Sequence, residues 1–206
     1  EEPTSDPTGA VAGFADATGR FLPLVCTSNA AKVLDAVRRL LGVGHDEFDR
    51  LALDPAASGG PVLLPYLDGE RTPNRPDATG ELVGIRSDVT REQLARAAVD
   101  GVACGLLDGL DALAEHTDLA GRVLLVGGAA RSEAVQRVIA GMTGRETRFV
   151  EEPEAVAAGA AVQAAAVLDG VAPAEIQERW GLGTGTVVEG VDPDDLRDRY
   201  AAARDR

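Results

Sequence analysis

Two strand–helix units that follow one another in the second half of the chain place the strongest constraint on its fold. The first has an apolar strand over Arg122–Val126 and a helix over Ser132–Met142. The second has a strand over Glu146–Val150 and an alanine-rich helix over Pro153–Leu168. Two strands joined by a helical crossover of this length lie parallel in one sheet. The chain is therefore predicted to have an α/β fold.

The first half of the chain supplies further elements of both kinds. We predict a hairpin formed by Val11–Phe14 and Phe21–Cys26. A helix from Ser28 or Asn29 to Leu41 and a short helix over Asp46–Leu53 follow it. We then predict a buried strand over Val62–Leu67 and a longer helix from Ser87 or Thr90 to about Glu115. Gly101, Gly105 and Gly109 lie on the apolar stripe of the longest helix. Glycine inside a helix costs about 1 kcal/mol relative to alanine, so this stripe predicts close packing against another backbone.

The composition argues against several classes of function. The 206 residues carry 34 acidic and 20 basic side chains, and the formal net charge of −14 disfavours binding to nucleic acid or to an anionic membrane surface. No apolar run approaches the ~20 residues that span a bilayer. Aromatic residues make up only 3%, so the core must consist mainly of Ala, Val, Leu and Ile. The cysteines Cys26 and Cys104 have no metal-ligand spacing, and we interpret both as buried, reduced thiols of a cytoplasmic protein.

The chain divides most simply into one domain and a tail. We assign residues 1–170 to the domain and residues 171–206 to a C-terminal helical extension, with a charged helix around Pro193–Ala203. The first residue is Glu1 and the only methionine is Met142. We therefore expect the chain to be a piece of a longer protein.

The turn between the first strand–helix pair is the most informative place for a ligand. The strand runs into GGAARS at residues 127–132, and the small residues leave the backbone open to a flat group such as adenine or ribose. The first N–H groups of the following helix point outward at the same place. The alternative is an ordinary strand-to-helix turn in which the glycines serve backbone geometry alone.

Several motifs in order resemble the FGGY family of carbohydrate kinases. GELVGI at residues 80–85 and QLARAAVD at residues 93–100 resemble the C-terminal signature of that family. GGAARS at residues 127–132 resembles its adenosine motif, and PEAVAAGAA at residues 153–161 resembles the helix that follows. The resemblance runs from residue 1 to about Leu168.

The resemblance implies a ribonuclease-H-like domain of the actin-like ATPase fold, the C-terminal half of a two-domain sugar kinase. Family members bind the sugar mainly on the N-terminal domain and bind ATP with Mg²⁺ across the cleft, with the nucleoside on the C-terminal domain. The implied nucleoside-binding residues are Gly127, Gly128, Ala129, Ala130 and Ser132. The catalytic aspartate of the family belongs to its N-terminal half, so no catalytic residue and no metal ligand is expected in this chain.

The choice of sugar rests on one further segment. LPYLDGERTP at residues 64–73 is similar to a stretch typical of the xylulose kinase branch, and gluconate is the sugar it favours next. Ribulose, fuculose and glycerol kinases share the same C-terminal architecture. Two other classes stay open, namely a non-catalytic actin-like module and an ordinary α/β interaction domain. Within this segment, Glu70 and Arg71 form an interior ion pair or face the triphosphate, whereas Asp100 at the end of the signature is interpreted as structural.

Two departures from the family pattern affect the site. Ala129 stands where family members usually have a third glycine, which adds a methyl group near the nucleoside. The family's first sheet strand and its phosphate loops would precede Glu1. We therefore predict that this chain alone does not catalyse. We also expect the chain to compensate for the missing central strand. It could form a homodimer through strand exchange, pair with residues outside the chain, or rearrange its sheet.

Overall fold

The computed structural model describes residues 4–152 and 154–206, and these form a mixed α/β fold, as predicted. Residues 1–3 and Pro153 lie outside the described residues, including the predicted start of one helix at Pro153. The strands are β1 Val11–Ala15, β2 Phe21–Val25, β3 Val62–Leu64, β4 Glu81–Val83, β5 Val123–Leu125, β6 Thr147–Phe149 and β7 Thr186–Val187. The helices are α1 Ala31–Leu41, α2 His45–Ala52, α3 Arg91–Ala114, α4 Glu133–Thr143, α5 Ala155–Asp169, α6 Pro173–Arg179 and α7 Leu196–Arg204.

The described strands form three separate sheets. β1 and β2 make an antiparallel hairpin, as predicted, and β3 pairs antiparallel with β4. β5 and β6 are parallel, with Val123 opposite Thr147, and α4 makes the crossover between them. The parallel pair that the strand–helix units predict is therefore confirmed. β7 adds to β6 in the antiparallel direction, so the sheet order is β5-β6-β7 and β5 lies at an edge.

The long helix α3 is the centre of the core. Thr90 starts it with a capping box, in which the Thr90 hydroxyl accepts from the Gln93 N–H and the Gln93 side chain accepts from the Thr90 N–H. Its buried face is mostly alanine and valine and packs against α1, α2, α4 and β3. At Gly101 an added Cβ would lie only 2.3 Å from the Leu63 carbonyl oxygen. The close backbone packing predicted from the glycine stripe is thus present at this position.

The tail contacts the rest of the chain through both β7 and α7. Tyr200 of α7 is fully buried, and its hydroxyl donates to the Tyr66 hydroxyl over 3.2 Å. Arg197 and Arg204 both pair with the buried carboxylate of Asp108 on α3, at 3.0 and 2.8 Å. The division of the chain at residue 170 stays a prediction.

Large apolar side chains are exposed on two neighbouring parts of the structure. On the hairpin and around β5 they are Phe14, Phe21, Leu22, Leu24, Leu124 and Val126, and on α5 they are Val156, Val167 and Leu168. A cavity of about 790 Å³ separates β2 from β5, with Phe21 and Pro23 on one wall and Arg122 and Val123 on the other. A helix that is apolar on all sides, as α5 is, is normally buried.

Two local predictions are wrong. Helix α1 begins after Ala30 with no side-chain cap, because the Asn29 side chain is directed to the loop at Gly69 and Glu70 instead. Cys26 is exposed, whereas Cys104 is buried as expected. Within the described residues no single helix is long and apolar enough to cross a membrane. Helices α5 and α6 reach that length and apolarity only together, and the chain bends by 112° between them.

Candidate functional site

The candidate site lies where β5 and β6 end. Because the two strands are parallel neighbours, the segments after Leu125 and Phe149 both leave the sheet at the carboxyl ends of the strands. In open α/β sheets ligands bind in the crevice beyond the carboxyl ends of the strands. The turn of residues 127–132 therefore occupies the position in the sheet where a ligand is expected.

The turn takes its shape from glycine at its first position. Gly127 has a φ of +90°, which residues with a Cβ rarely adopt, whereas Gly128 has ordinary helical angles. A short 3-10 turn over Ala129–Arg131 follows, and Ser132 then caps α4 by accepting the Val135 N–H. An added Cβ would meet nothing within 4 Å at either glycine, so the space in front of both is open.

The five predicted residues differ in their exposure. Gly127 and Gly128 are exposed and Ala129 is half-buried, whereas Ala130 is buried and its carbonyl accepts from the Gln136 amide. The Ser132 hydroxyl is half-buried and already has two hydrogen-bond partners. Among these five residues, the open surface therefore consists of the two glycines and the exposed part of Ala129.

A cleft of about 100 Å³ opens directly beside the two glycines. The segment that follows β6 forms the facing wall, and Arg131 completes the lining, which consists of Gly127, Gly128, Arg131, Phe149, Val150, Glu151 and Glu152. The same segment after β6 also borders a larger, mainly apolar groove of about 540 Å³ under α5. The cleft offers backbone amides, one guanidinium group and two carboxylates to a ligand.

Asp49 on α2 is a residue of this site that the sequence analysis missed. One carboxylate oxygen accepts the Ser132 hydroxyl at 2.6 Å and the other accepts the Glu133 N–H at 2.7 Å. Asp49 and Ser132 are 83 residues apart, so no local pattern in the sequence reveals the contact. The serine and the carboxylate together fix the start of α4.

Of the two interpretations of Glu70 and Arg71, the interior ion pair does not form within the described residues, whereas contact with a triphosphate stays a prediction. The Glu70 carboxylate is buried and accepts the Ser28 N–H at 2.6 Å, the Arg71 N–H at 2.7 Å and the Asn29 side-chain amide at 2.9 Å. These N–H donors satisfy the carboxylate without a cation, and the Arg71 side chain is exposed. Glu70 therefore organises its own loop.

Asp100 has the structural role expected for it. Its carboxylate accepts from the Arg96 guanidinium over 2.6 Å within α3, and both side chains are largely buried. Burial raises the pKa of Asp100, and the neighbouring Arg96 opposes that shift. Within residues 4–152 and 154–206, no group of three or more His, Cys, Asp or Glu side chains could hold a metal ion.

Comparison with known proteins agrees with these motifs. The model of the FGGY family of carbohydrate kinases, C-terminal domain, matches residues 4–168. Xylulose kinases of Streptomyces rubiginosus and Streptomyces coelicolor are 46% and 44% identical to the chain over 93% of its length, and each match covers 38% of the relative. The crystal structure of xylulose kinase from Bifidobacterium adolescentis superposes with a TM-score of 0.78 at 42% identity, over 99% of this chain and 40% of that one.

The chain thus spans about two fifths of the length of these relatives, in their C-terminal part. The family match covers the signature, the turn after β5 and α5 in one continuous stretch, and the structural neighbours have the actin-like ATPase fold. The chain belongs to the FGGY family of carbohydrate kinases.

Proposed function

We propose that this chain is the nucleotide-binding part of a xylulose kinase. The parent protein would transfer the γ-phosphoryl group of ATP to a hydroxyl of D-xylulose, giving xylulose 5-phosphate and ADP. The observation that carries this proposal is the identity of 46% and 44% to two xylulose kinases across 93% of the chain. The loop organised by Glu70 belongs to the segment of residues 64–73, whose sequence resembles xylulose kinases more than kinases of other sugars.

We propose that the nucleoside of ATP binds at Gly127, Gly128, Ala129, Ala130 and Ser132. The open space in front of the two glycines and the cleft beside them support this assignment. Ala130 and Ser132 would act from behind the surface, since Ala130 is buried and the Ser132 hydroxyl is engaged. Their part is to hold the turn in the shape that leaves the glycine backbone accessible.

The remaining chemistry is assigned to the part of the parent protein outside this chain. There the sugar hydroxyl oxygen attacks the γ-phosphorus, the bond from that phosphorus to the bridging oxygen breaks, and the hydroxyl proton passes to a carboxylate. Positioning and electrostatic stabilisation supply most of the acceleration in such transfers. Mg²⁺ would neutralise the phosphate charge and would be held through the phosphates and through groups of the parent protein outside this chain. Within the described residues no group of three or more His, Cys, Asp or Glu side chains could hold it.

The open surfaces support a chain that works inside a larger protein. The edge of β5, the cavity between β2 and β5 and the exposed apolar face of the hairpin would be covered by other parts of a parent polypeptide, including the sugar-binding domain. A homodimer that exchanges strands is the alternative cover. We place the parent protein in the cytoplasm, where ATP is available and the exposed Cys26 stays reduced.

Exchanging the corresponding C-terminal segment of the Streptomyces rubiginosus xylulose kinase for this chain tests the proposal. We expect the chimera to phosphorylate D-xylulose in preference to gluconate and glycerol, and the chain alone to phosphorylate none of them. A Gly128→Glu chimera provides the control that loses the reaction. A folded chimera that prefers another sugar would disprove the xylulose assignment, and turnover by the chain alone would disprove its dependence on a second domain.

A further inference from the structure

The start of α4 is held by a residue from a different helix. Asp49 of α2 bridges the Ser132 hydroxyl and the Glu133 N–H with its two carboxylate oxygens, at 2.6 and 2.7 Å. Helix α2 is itself anchored, because Phe48 and Leu51 on either side of Asp49 are buried in the core. Asp49 therefore ties the turn after β5 to a fixed point in the core.

The same carboxylate changes the electrostatics of the turn. Free N–H groups and the helix dipole make a helix N-terminus attractive to phosphate. Here the Glu133 N–H is taken by Asp49 and the Val135 N–H is taken by Ser132, and Glu133 adds an acidic side chain in the first turn. A phosphate at this helix end would meet negative charge and find the Glu133 and Val135 N–H groups occupied.

We propose that Asp49 is a positioning residue for nucleotide binding, an inference that rests on the proposed function. It fixes the turn so that the glycine backbone accepts the uncharged nucleoside, and its charge keeps phosphate away from the start of α4. The nucleotide is thereby oriented with its phosphates directed away from α4. Asp49 acts through Ser132 and Glu133 and does not itself contact the ligand.

Calorimetric titration of this chain with adenosine and with ADP tests the role of Asp49. Asp49→Ala removes both hydrogen bonds, and we expect about a tenfold loss of affinity for adenosine, the equivalent of one hydrogen bond to a charged group. Asp49→Asn keeps an acceptor oxygen but removes the charge. For this variant we expect adenosine affinity to recover to within about threefold of wild type, and the preference for ADP over adenosine to rise by at least about threefold.

Asp46→Asn is the matched control, since Asp46 lies on the same helix, is exposed, and its side chain makes no hydrogen bond or ion pair within the described residues. The ratio of the two affinities isolates the effect of the Asp49 charge on the phosphates, because a loosened fold or a misplaced turn weakens both ligands by the same factor. Recovery of adenosine affinity in Asp49→Asn isolates positioning, because that variant restores an acceptor oxygen without the charge. Adenosine affinity that falls as far in Asp49→Asn as in Asp49→Ala overturns the positioning role, an unchanged ratio in Asp49→Asn overturns the role of its charge, and either result leaves the nucleoside site standing. A folded wild-type chain that binds neither ligand overturns this inference together with the proposed site.

Discussion

Replacing Gly101 and Gly105 by alanine tests the packing of α3, because the same change on the same helix should have opposite effects. A Cβ at Gly101 would lie 2.3 Å from the Leu63 carbonyl oxygen, a backbone atom that moves only if β3 moves. A Cβ at Gly105 would lie 3.9 Å from Pro65 and from the Tyr200 hydroxyl, which is ordinary contact. Only the first substitution overpacks the core.

The magnitudes follow from two opposing terms. Alanine in place of glycine inside a helix gains about 1 kcal/mol. Overpacking costs ~1–3 kcal/mol, and contact with backbone puts Gly101→Ala at the upper end. The net expectation is a loss of about 2 kcal/mol for Gly101→Ala and a gain of up to about 1 kcal/mol for Gly105→Ala.

Thermal unfolding followed by circular dichroism measures both effects. At roughly 2–4 °C per kcal/mol for a chain of this size, the midpoint falls by about 4–8 °C for Gly101→Ala and rises by up to about 4 °C for Gly105→Ala. Equal shifts, or a stabilised Gly101→Ala, would refute the close approach of α3 to β3 at Leu63.

Two further predictions concern single titratable groups. Burial raises the pKa of the Cys104 thiol to about 12, so a maleimide should modify Cys26 alone in the native chain and both thiols in urea; rapid native labelling of Cys104 would contradict this. Hydrogen bonds from the Thr18 hydroxyl and the Arg20 N–H lower the pKa of Asp16 to about 2. These bonds therefore stabilise the hairpin fully at pH values above the ordinary pKa of aspartate, and the stabilisation is lost as the pH falls towards 2. An NMR titration of Asp16 should show this pKa, and Thr18→Ala should raise it.

Local signals were enough to predict the elements that surround the site. Thr90 and Gln93 form a capping box within one helical turn, and the alternation of apolar strand and helix after Arg122 leads directly to the parallel pair of β5 and β6. The glycines that end β5 are recognisable for the same reason, because the geometry they serve is confined to a few neighbouring residues.

Contacts between distant segments account for what the sequence did not reveal. Asn29 fits the pattern of a helix cap, but the buried carboxylate of Glu70 takes its side chain instead. Asp49 looks like one acidic residue among several on a solvated helix, and only the packing of α2 on α4 brings it to Ser132. The pairing of β7 with β6 likewise depends on where the tail folds back.

Calorimetric titration with ADP of the chain and of a Gly128→Glu variant tests whether the nucleotide binds at the turn after β5. The added side chain has open space and ordinary backbone angles, so the fold should be retained. Gly44→Glu is the matched control, an exposed glycine with equal space and no contact with the cleft. We predict weak ADP binding that Gly128→Glu abolishes and Gly44→Glu preserves. Equal binding by all three proteins would show that the nucleotide does not bind at the turn after β5.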